Sequence, residues 1–487
     1  MDRLANEGMR FTNAYSNMLC APARASLLTG FSDVRKPGFS YTKGKIYQKI
    51  STNDLSVEQV TKALDATFPP IPKEQVFLAQ VAQQAGYKTA QFGKLDWGFA
   101  TTPNRLKRHG WDYHLGYMDH VRAHGFYPPF LFENGKLKPI KGNNLVNGGK
   151  SLEPETEQAF QERWNRQGKE VYSQDIFIYG VLNFIRNANN KEQKQPFFIY
   201  FPTQLPHGPV AIPAVHPDFV NDRRLTQIEK EYASMVKRLD DDVGLILDEL
   251  KTQGLDNNTL VIFTSDNGHE LYYAQQGRAE KPYRDLTTGK LFDNYQHKYY
   301  SELANDVFNG NGGRAGLKKS NLQGGVNVPL LARWPGKITA GAVSNRLVAS
   351  YDMLPTIAEL VKYPEKLAVD GLSYYQTLLG NDLGKELGNE LGQELVKEDK
   401  TAHDYIVYGS FEGPILVTND GWKIRSYLPK KAFELFYLPD DKAEKNDLSV
   451  LRPNKLKQLK KLLIDACDGD SNNGFVSWQQ FSLDPQF

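Results

Sequence analysis

The sequence has very few cysteines and no long apolar run. Its 487 residues include only two cysteines, Cys20 and Cys467, so a disulfide framework cannot be what stabilises the fold. No apolar stretch approaches the roughly 18 residues that a membrane-spanning helix needs, and we therefore expect no membrane insertion. Lysines and arginines total 59 against 57 aspartates and glutamates, which leaves a net charge of only +2. This balance lacks the basic surface that a nucleic-acid-binding protein presents.

A chain of this length is expected to form one large domain and a smaller one. Strands and helices alternate as far as residues 355–363, which predicts an α/β domain with a large, mostly parallel sheet between helices over residues 1–378. Residues 383–395 repeat Leu-Gly-x-Glu, and glycines disfavour a stable helix, so we interpret 379–400 as a linker or insertion. Short strands followed by a lysine-rich helix predict a C-terminal α+β subdomain with an antiparallel sheet in residues 401–487.

The segment from Leu19 to Gly30, Leu-Cys-Ala-Pro-Ala-Arg-Ala-Ser-Leu-Leu-Thr-Gly, carries most of the functional information. Pro22 suits the first turn of a helix and Gly30 suits its end, which predicts that Cys20 lies at a helix N-terminus. Unpaired N–H groups and the helix dipole lower a thiol pKa there and attract an anion, and Arg24 adds a positive charge. A lone cysteine is more often a small core residue, but the spacing Cys-x-Pro-x-Arg-x-x-x-Leu-x-Gly favours a functional one.

Polar residues follow several predicted strands at their carboxyl ends. One strand is followed by Gly93-Lys94, the apolar run 197–201 by Pro206-His207, and the run 260–264 by Ser265-Asp266-Asn267-Gly268. Open α/β sheets place their sites at the carboxyl ends of strands. Taken singly, His207 could cap a loop and the last motif could be an ordinary β-turn. Their common position predicts one shared site.

These motifs together resemble those of the sulfatase family, which is formylglycine-dependent and belongs to the alkaline phosphatase superfamily. The Cys20 segment is similar to the family signature, whose cysteine is converted after translation to formylglycine, an aldehyde. The motifs occur in the family's order and extend to Glu434-Leu-Phe-Tyr-Leu, so the resemblance covers nearly the whole chain. It implies an alkaline-phosphatase-like sandwich, hydrolysis of sulfate esters, and a formylglycine-generating maturation enzyme as a partner.

The resemblance also implies a role for each catalytic residue. Lys94 and Lys318 match the lysines that contact the sulfate, although the adjacent Lys319 could be the surface charge of the pair. His207 matches the general acid that protonates the leaving alcohol, and Arg24 holds the site in geometry. Formylglycine made from Cys20 would be hydrated to a diol that attacks sulfur.

A divalent metal, Ca²⁺, is expected beside these residues. Asp266 and Asn267 resemble the family's metal-binding turn, and hard oxygen ligands suit calcium. Family members normally begin with a strand that ends in paired aspartates, and no such strand precedes Cys20 in this sequence. We therefore expect a longer native form that carries this strand and an export signal, which would make the protein periplasmic or secreted. Asp96 stands where the family has a histidine that contacts formylglycine, and it is predicted to bind substrate.

The substrate is expected to be a sulfated carbohydrate or polysaccharide. Residues 116–128 resemble a segment of bacterial polysaccharide sulfatases in which the residue matching His124 lies near the sugar. The aromatic residues of 111–132 would suit stacking on sugar rings, but they would also suit a packed core. Two alternatives to this function stay open. One is a phosphonate or phosphate diester hydrolase that uses the same aldehyde, and the other is a non-catalytic carbohydrate-binding homologue.

Overall fold

A computed structural model describes most of the chain. The described residues are 1–34, 47–67, 73–95, 102–119, 122–145, 164–188, 195–271, 279–280, 284–285, 307–381, 402–410 and 412–471. Asp96 and residues 382–400 of the expected linker lie outside them. Of the helices within these ranges, none is both long enough and apolar enough to cross a bilayer.

Helices and strands alternate along the main part of the chain. The helices α1 to α12 are Asp2–Asn6, Cys20–Thr29, Gln48–Ser51, Val57–Thr67, Leu78–Gln84, Ser173–Ala188, Pro217–Val220, Gln227–Thr252, Gln323–Val326, Met353–Leu360, Tyr375–Leu378 and Pro453–Ala466. The strands β1 to β15 are Met9–Tyr15, Lys88–Lys94, Tyr113–Tyr117, Phe130–Glu133, Lys136–Pro139, Phe197–Tyr200, Val261–Thr264, Ala279–Glu280, Arg284–Asp285, Leu330–Arg333, Ala342–Ala349, Tyr405–Tyr408, Ile415–Thr418, Trp422–Tyr427 and Ala432–Tyr437.

The main part of the chain contains two mixed sheets instead of one mostly parallel sheet. One has the strand order β5-β4-β3-β2-β6 and the other β11-β1-β10-β7. Three of their pairings are parallel, β1–β11, β2–β3 and β2–β6, and the remaining four are antiparallel. The antiparallel pairs arise because β10 runs against both of its neighbours and because β3, β4 and β5 form a meander. The predicted α/β class is confirmed. The expected predominance of parallel pairs is not found among the described strands.

Helices cover both faces of these sheets. Helix α8, a 26-residue helix, begins after Thr226, whose backbone N–H and hydroxyl both donate to Glu229 Oε2, at 2.8 and 2.9 Å. On this side α6 and α8 pack together, and Leu250 of α8 shares an apolar cluster with Phe177 of α6. On the other side α10 packs against α2 and α5. The polar ends of the strands are therefore presented at one edge of a three-layer core.

The C-terminal sheet is antiparallel throughout, with the order β12-β13-β14-β15. Its apolar face packs against α12, where Leu459 and Leu463 are buried with Cys467. It also contacts the Cys20 region. The Asn17 side chain donates to Asp33 Oδ2 (2.5 Å), and Asp33 Oδ1 accepts the Gly409 N–H at 2.9 Å. The sheet is thus tied to both ends of the segment that carries α2.

Gly93 gives a direct test of how tightly β2 packs against its neighbour. Its φ is +101°, and an added Cβ would lie 2.4 Å from the Pro202 carbonyl oxygen. We expect Gly93→Ala to lower the free energy of unfolding by about 2–4 kcal/mol, measured by urea denaturation. Gly86→Ala is the matched control, because φ is +87° there but nothing lies within 4 Å of the added Cβ. An equal loss in the two variants would contradict the packing argument.

Candidate active site

Cys20 is the first residue of α2, as the sequence predicted. β1 leads into the turn before it, where the Leu19 N–H donates to Asn17 Oδ1 at 3.0 Å. The helix ends at Gly30, which has a φ of +77° and whose N–H donates to the Ser26 carbonyl oxygen. The Cys20 side chain is buried, with 8% of its surface exposed. The thiol therefore lies at the positive end of a ten-residue helix and away from bulk water.

Three cationic side chains converge on Cys20. Burial raises the pKa of the Cys20 thiol, but the positive charges of Lys318, Arg24 and Lys94 outweigh it and leave the pKa below its ordinary value. The Asp266 carboxylate acts in the opposite sense. Arg24 is 3% exposed, and its Nη1 lies 3.4 Å from Asp266 Oδ2. The position is thus built to hold negative charge, whichever group occupies it.

Lys94 reaches the site from the last position of β2. It is 3% exposed, and its backbone N–H donates to the Pro202 carbonyl oxygen at 3.0 Å. Burial lowers the pKa of Lys94 to about 8, with the charge on Cys20 raising it and that on Arg24 lowering it. Such a lysine is a desolvated cation, which interacts more strongly with an anion than a solvated one does.

Lys318 and His207 form a close pair. Lys318 Nζ lies 3.0 Å from His207 Nε2, and His207 Nδ1 lies 2.6 Å from the Gly208 carbonyl oxygen. The carbonyl can only accept, so Nδ1 carries a hydrogen, and the Lys318 ammonium donates to Nε2. The next residue, Lys319, is exposed and has a φ of +77°. The side chain that reaches the site is therefore that of Lys318.

His124 lies against His207. The two imidazole rings are stacked, with centroids 3.8 Å apart and an angle of 9° between their planes. The aromatic residues around His124 are mostly core residues: those less than 5% exposed are Tyr117, Phe126, Tyr127, Phe130 and Phe132. The packed-core interpretation thus applies to these rings, and the prediction that His124 lies near a sugar stays a prediction.

Asp266 and Asn267 follow β7 and face the same cluster. The Asn267 Nδ2 donates to the Gly268 carbonyl oxygen at 2.9 Å, while its Oδ1 is buried and has no hydrogen-bond partner among the described residues. An unsatisfied buried oxygen suits a cation ligand. Calcium takes about six to eight oxygens, however, and the described residues contain no group of three His, Cys, Asp or Glu placed to hold a metal. These two residues alone do not make a calcium site.

Backbone contacts join the loop that carries Asp266 to the loop that carries Lys318. The Lys318 N–H donates to the His269 carbonyl oxygen at 2.7 Å, and the Gly268 N–H donates to the Gly325 carbonyl oxygen at 2.9 Å. Sequence reasoning did not select His269, whose Nδ1 lies 3.3 Å from the Tyr232 hydroxyl. Its position directly after Ser-Asp-Asn-Gly is the sequence feature that could have indicated a place in the site. Among the described residues, charges or contacts join most of the predicted site residues, namely Cys20, Arg24, Lys94, His124, His207, Asp266 and Lys318, and Asn267 follows Asp266 in the sequence.

Comparison with known proteins identifies the family. The sulfatase family profile matches residues 1–363, about three quarters of the chain. The chain belongs to the sulfatase family. Among curated sulfatases, N-acetylgalactosamine-6-sulfatase of Rattus norvegicus is 28% identical over 387 residues, which are 78% of this chain and 60% of that protein. N-acetylgalactosamine-6-O-sulfatase of Bacteroides thetaiotaomicron is 25% identical over 531 residues, which cover 95% of this chain and 87% of that protein. The chain spans about 60% of the length of the mammalian sulfatases that it matches.

Solved structures confirm the alkaline-phosphatase-like fold. A Bacteroides thetaiotaomicron sulfatase, described with the metabolism of multiple glycosaminoglycans, has a TM-score of 0.64 and 21% identity, covering 96% of this chain and 93% of its own. A sulfatase from a Pseudoalteromonas species has a TM-score of 0.56 and 19% identity, and the match covers 96% of this chain and 85% of that one. At these identities the sulfatase structures support the fold alone.

Proposed function

We propose that this sulfatase-family protein hydrolyses sulfate esters, using a formylglycine derived from Cys20. The observation that carries the proposal is the convergence of Lys94, Lys318 and Arg24 on a buried Cys20 at a helix N-terminus. A sulfate ester carries one negative charge spread over three oxygens, and fixed cations in a water-poor site stabilise charge on those oxygens. The aldehyde hydrate that replaces the thiol would supply the oxygen nucleophile.

The other residues around Cys20 would each have a specific task in this reaction. Lys94 and Lys318 would hold the sulfonate oxygens, and Arg24 would orient the cluster through Asp266. The leaving alcohol needs a proton, and the pair formed by Lys318 Nζ and His207 Nε2 holds one at the position where the two side chains meet. The Gly208 carbonyl oxygen fixes the ring orientation of His207. We derive no step from a metal, because Asp266 and Asn267 alone do not complete a site.

The proposed substrate is a sulfated carbohydrate. Relatives from a mammal and from a bacterium are both named as sulfatases of N-acetylgalactosamine 6-sulfate, which supports a sulfated amino sugar. One solved relative was described in complex with its substrate D-glucosamine-2-N,6-O-disulfate. Calcium remains part of the proposal, with Asp266 and Asn267 as two of its ligands.

Mass spectrometry of the Cys20 peptide is the experiment that tests the proposal. The protein is produced together with a formylglycine-generating enzyme and assayed with Ca²⁺ on N-acetylgalactosamine 6-sulfate, an aryl sulfate and an aryl phosphate diester. We expect the aldehyde at position 20 and release of sulfate in preference to phosphate. An unmodified thiol would overturn the formylglycine assignment, and preferential phosphate diester cleavage would favour the first alternative. Glycan binding by the modified protein without sulfate release would favour the second.

The stack between His124 and His207 leads to a prediction about His124. His124→Ala is expected to lower kcat about 3- to 30-fold with little change in KM, because His207 loses the ring that orients it. His124→Phe keeps a flat ring and should retain most of kcat. The pH profile of kcat should change in the alanine variant, while the thermal midpoint should not. A rise in KM alone would instead assign His124 to sugar binding.

A further inference from the structure

The turn that follows Lys318 bonds to the C-terminal part of the chain. Asn321 lies in this turn and is completely buried. Its backbone N–H donates to Glu412 Oε2 at 3.1 Å. Its Nδ2 donates to the Gly413 and Ser426 carbonyl oxygens, each at 3.0 Å. The backbone next to a proposed catalytic lysine is therefore held by residues that lie 91–105 positions later in the sequence.

Two carboxylates accept the hydrogen bonds of this turn. Glu412 Oε2 accepts the Ser320 hydroxyl at 3.3 Å in addition to the Asn321 N–H. Glu444 Oε2 accepts the Gln323 N–H at 2.5 Å, and the Glu444 side chain has no exposed surface. A hydrogen bond to an ionised acceptor is about twice as strong as one between neutral groups. Charged acceptors therefore hold the turn near its start and at its end.

Two cations of β14 accompany these carboxylates. Lys423 Nζ lies 2.7 Å from Glu444 Oε1, and neither side chain is exposed. Arg425 Nη1 donates to Asn321 Oδ1 at 2.8 Å and lies 3.8 Å from Glu412 Oε2. Alternate residues of a strand point to the same face, and the residue between these two packs with α12 on the other face. The C-terminal sheet thus directs two buried cations at this turn.

An apolar interface also joins the C-terminal sheet to the main part of the chain. Ile415 and Val417 of β13 are buried in one cluster with Met18 and Val326. A buried ion pair often gives no more stability than apolar residues of similar volume, because desolvation of the two charges offsets their attraction. An apolar contact cannot fix where a backbone N–H points, whereas a charged acceptor can. The polar network is therefore better explained by the position of the turn than by adhesion of the two parts.

The backbone on both sides of Lys318 lies in the left-handed region. φ is +81° at Gly316 and +77° at Lys319. A residue with a side chain at such a φ stores strain, which persists only where surrounding contacts hold it. The Lys318 N–H donates to the His269 carbonyl oxygen on one side, and the two carboxylates hold the chain on the other. If those acceptors were lost, relaxation of Lys319 would move the Lys318 ammonium away from His207.

We propose that Glu412 and Glu444 are positioning residues, which fix the turn after Lys318 so that its ammonium reaches His207 Nε2. The two cations of β14 compensate the carboxylate charges away from water. The C-terminal part of the chain thus contributes to catalysis without touching the sulfate. The effect on rate rests on the proposed function, but the contact between Lys318 Nζ and His207 Nε2 is present without substrate. It can therefore be measured whether or not sulfate is released.

Two double variants that differ in one acceptor test the proposal. The first, Lys423→Met with Glu444→Gln, removes both buried charges but keeps a side-chain oxygen for the Gln323 N–H. The second, Lys423→Met with Glu444→Met, removes that oxygen as well. We expect the second variant to lower kcat about 10- to 100-fold and the first to stay within about threefold of the parent. The loss should appear in kcat more than in KM, because the proton between Lys318 and His207 is needed only when the alcohol leaves.

The nitrogen-15 spectrum of the His207 ring gives a readout without substrate. Nε2 accepts a hydrogen bond from Lys318, so loss of that bond should move its resonance in the second double variant but not in the first. The chain has nine histidines, and comparison with His207→Gln identifies the resonances of this ring. If the parent released no sulfate, the proposed function would fail, while this spectrum would still decide whether the turn positions Lys318.

Glu434→Gln is the matched control. Glu434 Oε2 accepts from Arg425 Nε at 2.6 Å, and no bond between described residues joins Glu434 to the turn after Lys318. This variant should change neither kcat nor the His207 spectrum. If circular dichroism shows the second double variant unfolded, Glu412→Ala removes the other acceptor, whose side chain is 16% exposed, and should move the same resonance. Equal rates in the two double variants, or an unaltered His207 spectrum after loss of either acceptor, would overturn the proposal.

Discussion

Replacement of Cys20 by alanine is expected to lower the rate of sulfate release by about 10⁴-fold or more. The expected nucleophile is an oxygen on the carbon that carries the thiol, and an alanine methyl group cannot be converted to an aldehyde. The helix, Arg24, Lys94 and Lys318 would remain, so the variant should still bind sulfate. Initial rates with N-acetylgalactosamine 6-sulfate, together with the mass of the position 20 peptide, measure the effect.

The second cysteine provides the control for this substitution. Cys467 is fully buried against α12 and the C-terminal sheet, and burial raises the pKa of its thiol to about 12. Cys467→Ala should therefore retain the activity of the parent protein, with a loss of about 1 kcal/mol in stability. If Cys20→Ala kept a rate within tenfold of the parent, Cys20 would not be the source of the nucleophile.

Replacement of Lys94 by methionine is expected to have opposite effects on activity and on stability. Loss of a desolvated cation from the sulfonate oxygens should lower kcat/KM by about 10²–10³-fold. The free energy of unfolding at pH 7 should rise, because the folded state holds a buried ammonium whose pKa is about 8 instead of 10.5. That difference corresponds to about 3–4 kcal/mol, and methionine fills a similar space.

The lowered pKa of Lys94 also predicts how the stability of the protein changes with pH. Between about pH 8 and pH 10.5 the unfolded state binds more protons at this lysine than the folded state does, so the stability of the parent should rise with pH. Lys94→Met should lack that rise. Lys88→Met, at the exposed first position of the same strand, should change neither stability nor activity. If urea denaturation showed Lys94→Met less stable than the parent at pH 7, the desolvation argument would fail.

Local sequence signals predicted the elements that position the site. The α2 helix begins at Cys20 and ends at Gly30, as the proline and glycine positions indicated. Short apolar runs in the C-terminal part of the chain predict four strands, at residues 405–408, 415–418, 422–427 and 434–437. The first three have these bounds in the structure, and the fourth begins two residues earlier, at Ala432. These elements depend on turn residues and on short apolar runs, which act within a few residues of sequence. The apolar periodicity of residues 73–87 predicts a helix over that whole range, but the observed helix α5 covers only Leu78–Gln84.

Such local signals could not predict contacts between residues that are far apart in the sequence. The stack of His124 on His207 and the pairing of Lys318 with His207 join residues 83 and 111 positions apart, and neither follows from periodicity. The resemblance to sulfatases brought Lys318 and His207 into one site but gave no contact between them. The mixed pairing also depends on β10, whose antiparallel direction is set by its neighbours and not by its own residues.

The tie between the Cys20 segment and the C-terminal sheet constrains the order of events during biosynthesis. Asn17 and Asp33 flank α2 in sequence, and both bond to Gly409, which lies 392 residues after Asn17. These contacts can form only after residue 409 has left the ribosome. Until then the turn before Cys20 and the residues after α2 lack these bonds to the C-terminal part of the chain. Because Cys20 is buried in the folded chain, the modification proposed above would have to take place before folding is complete.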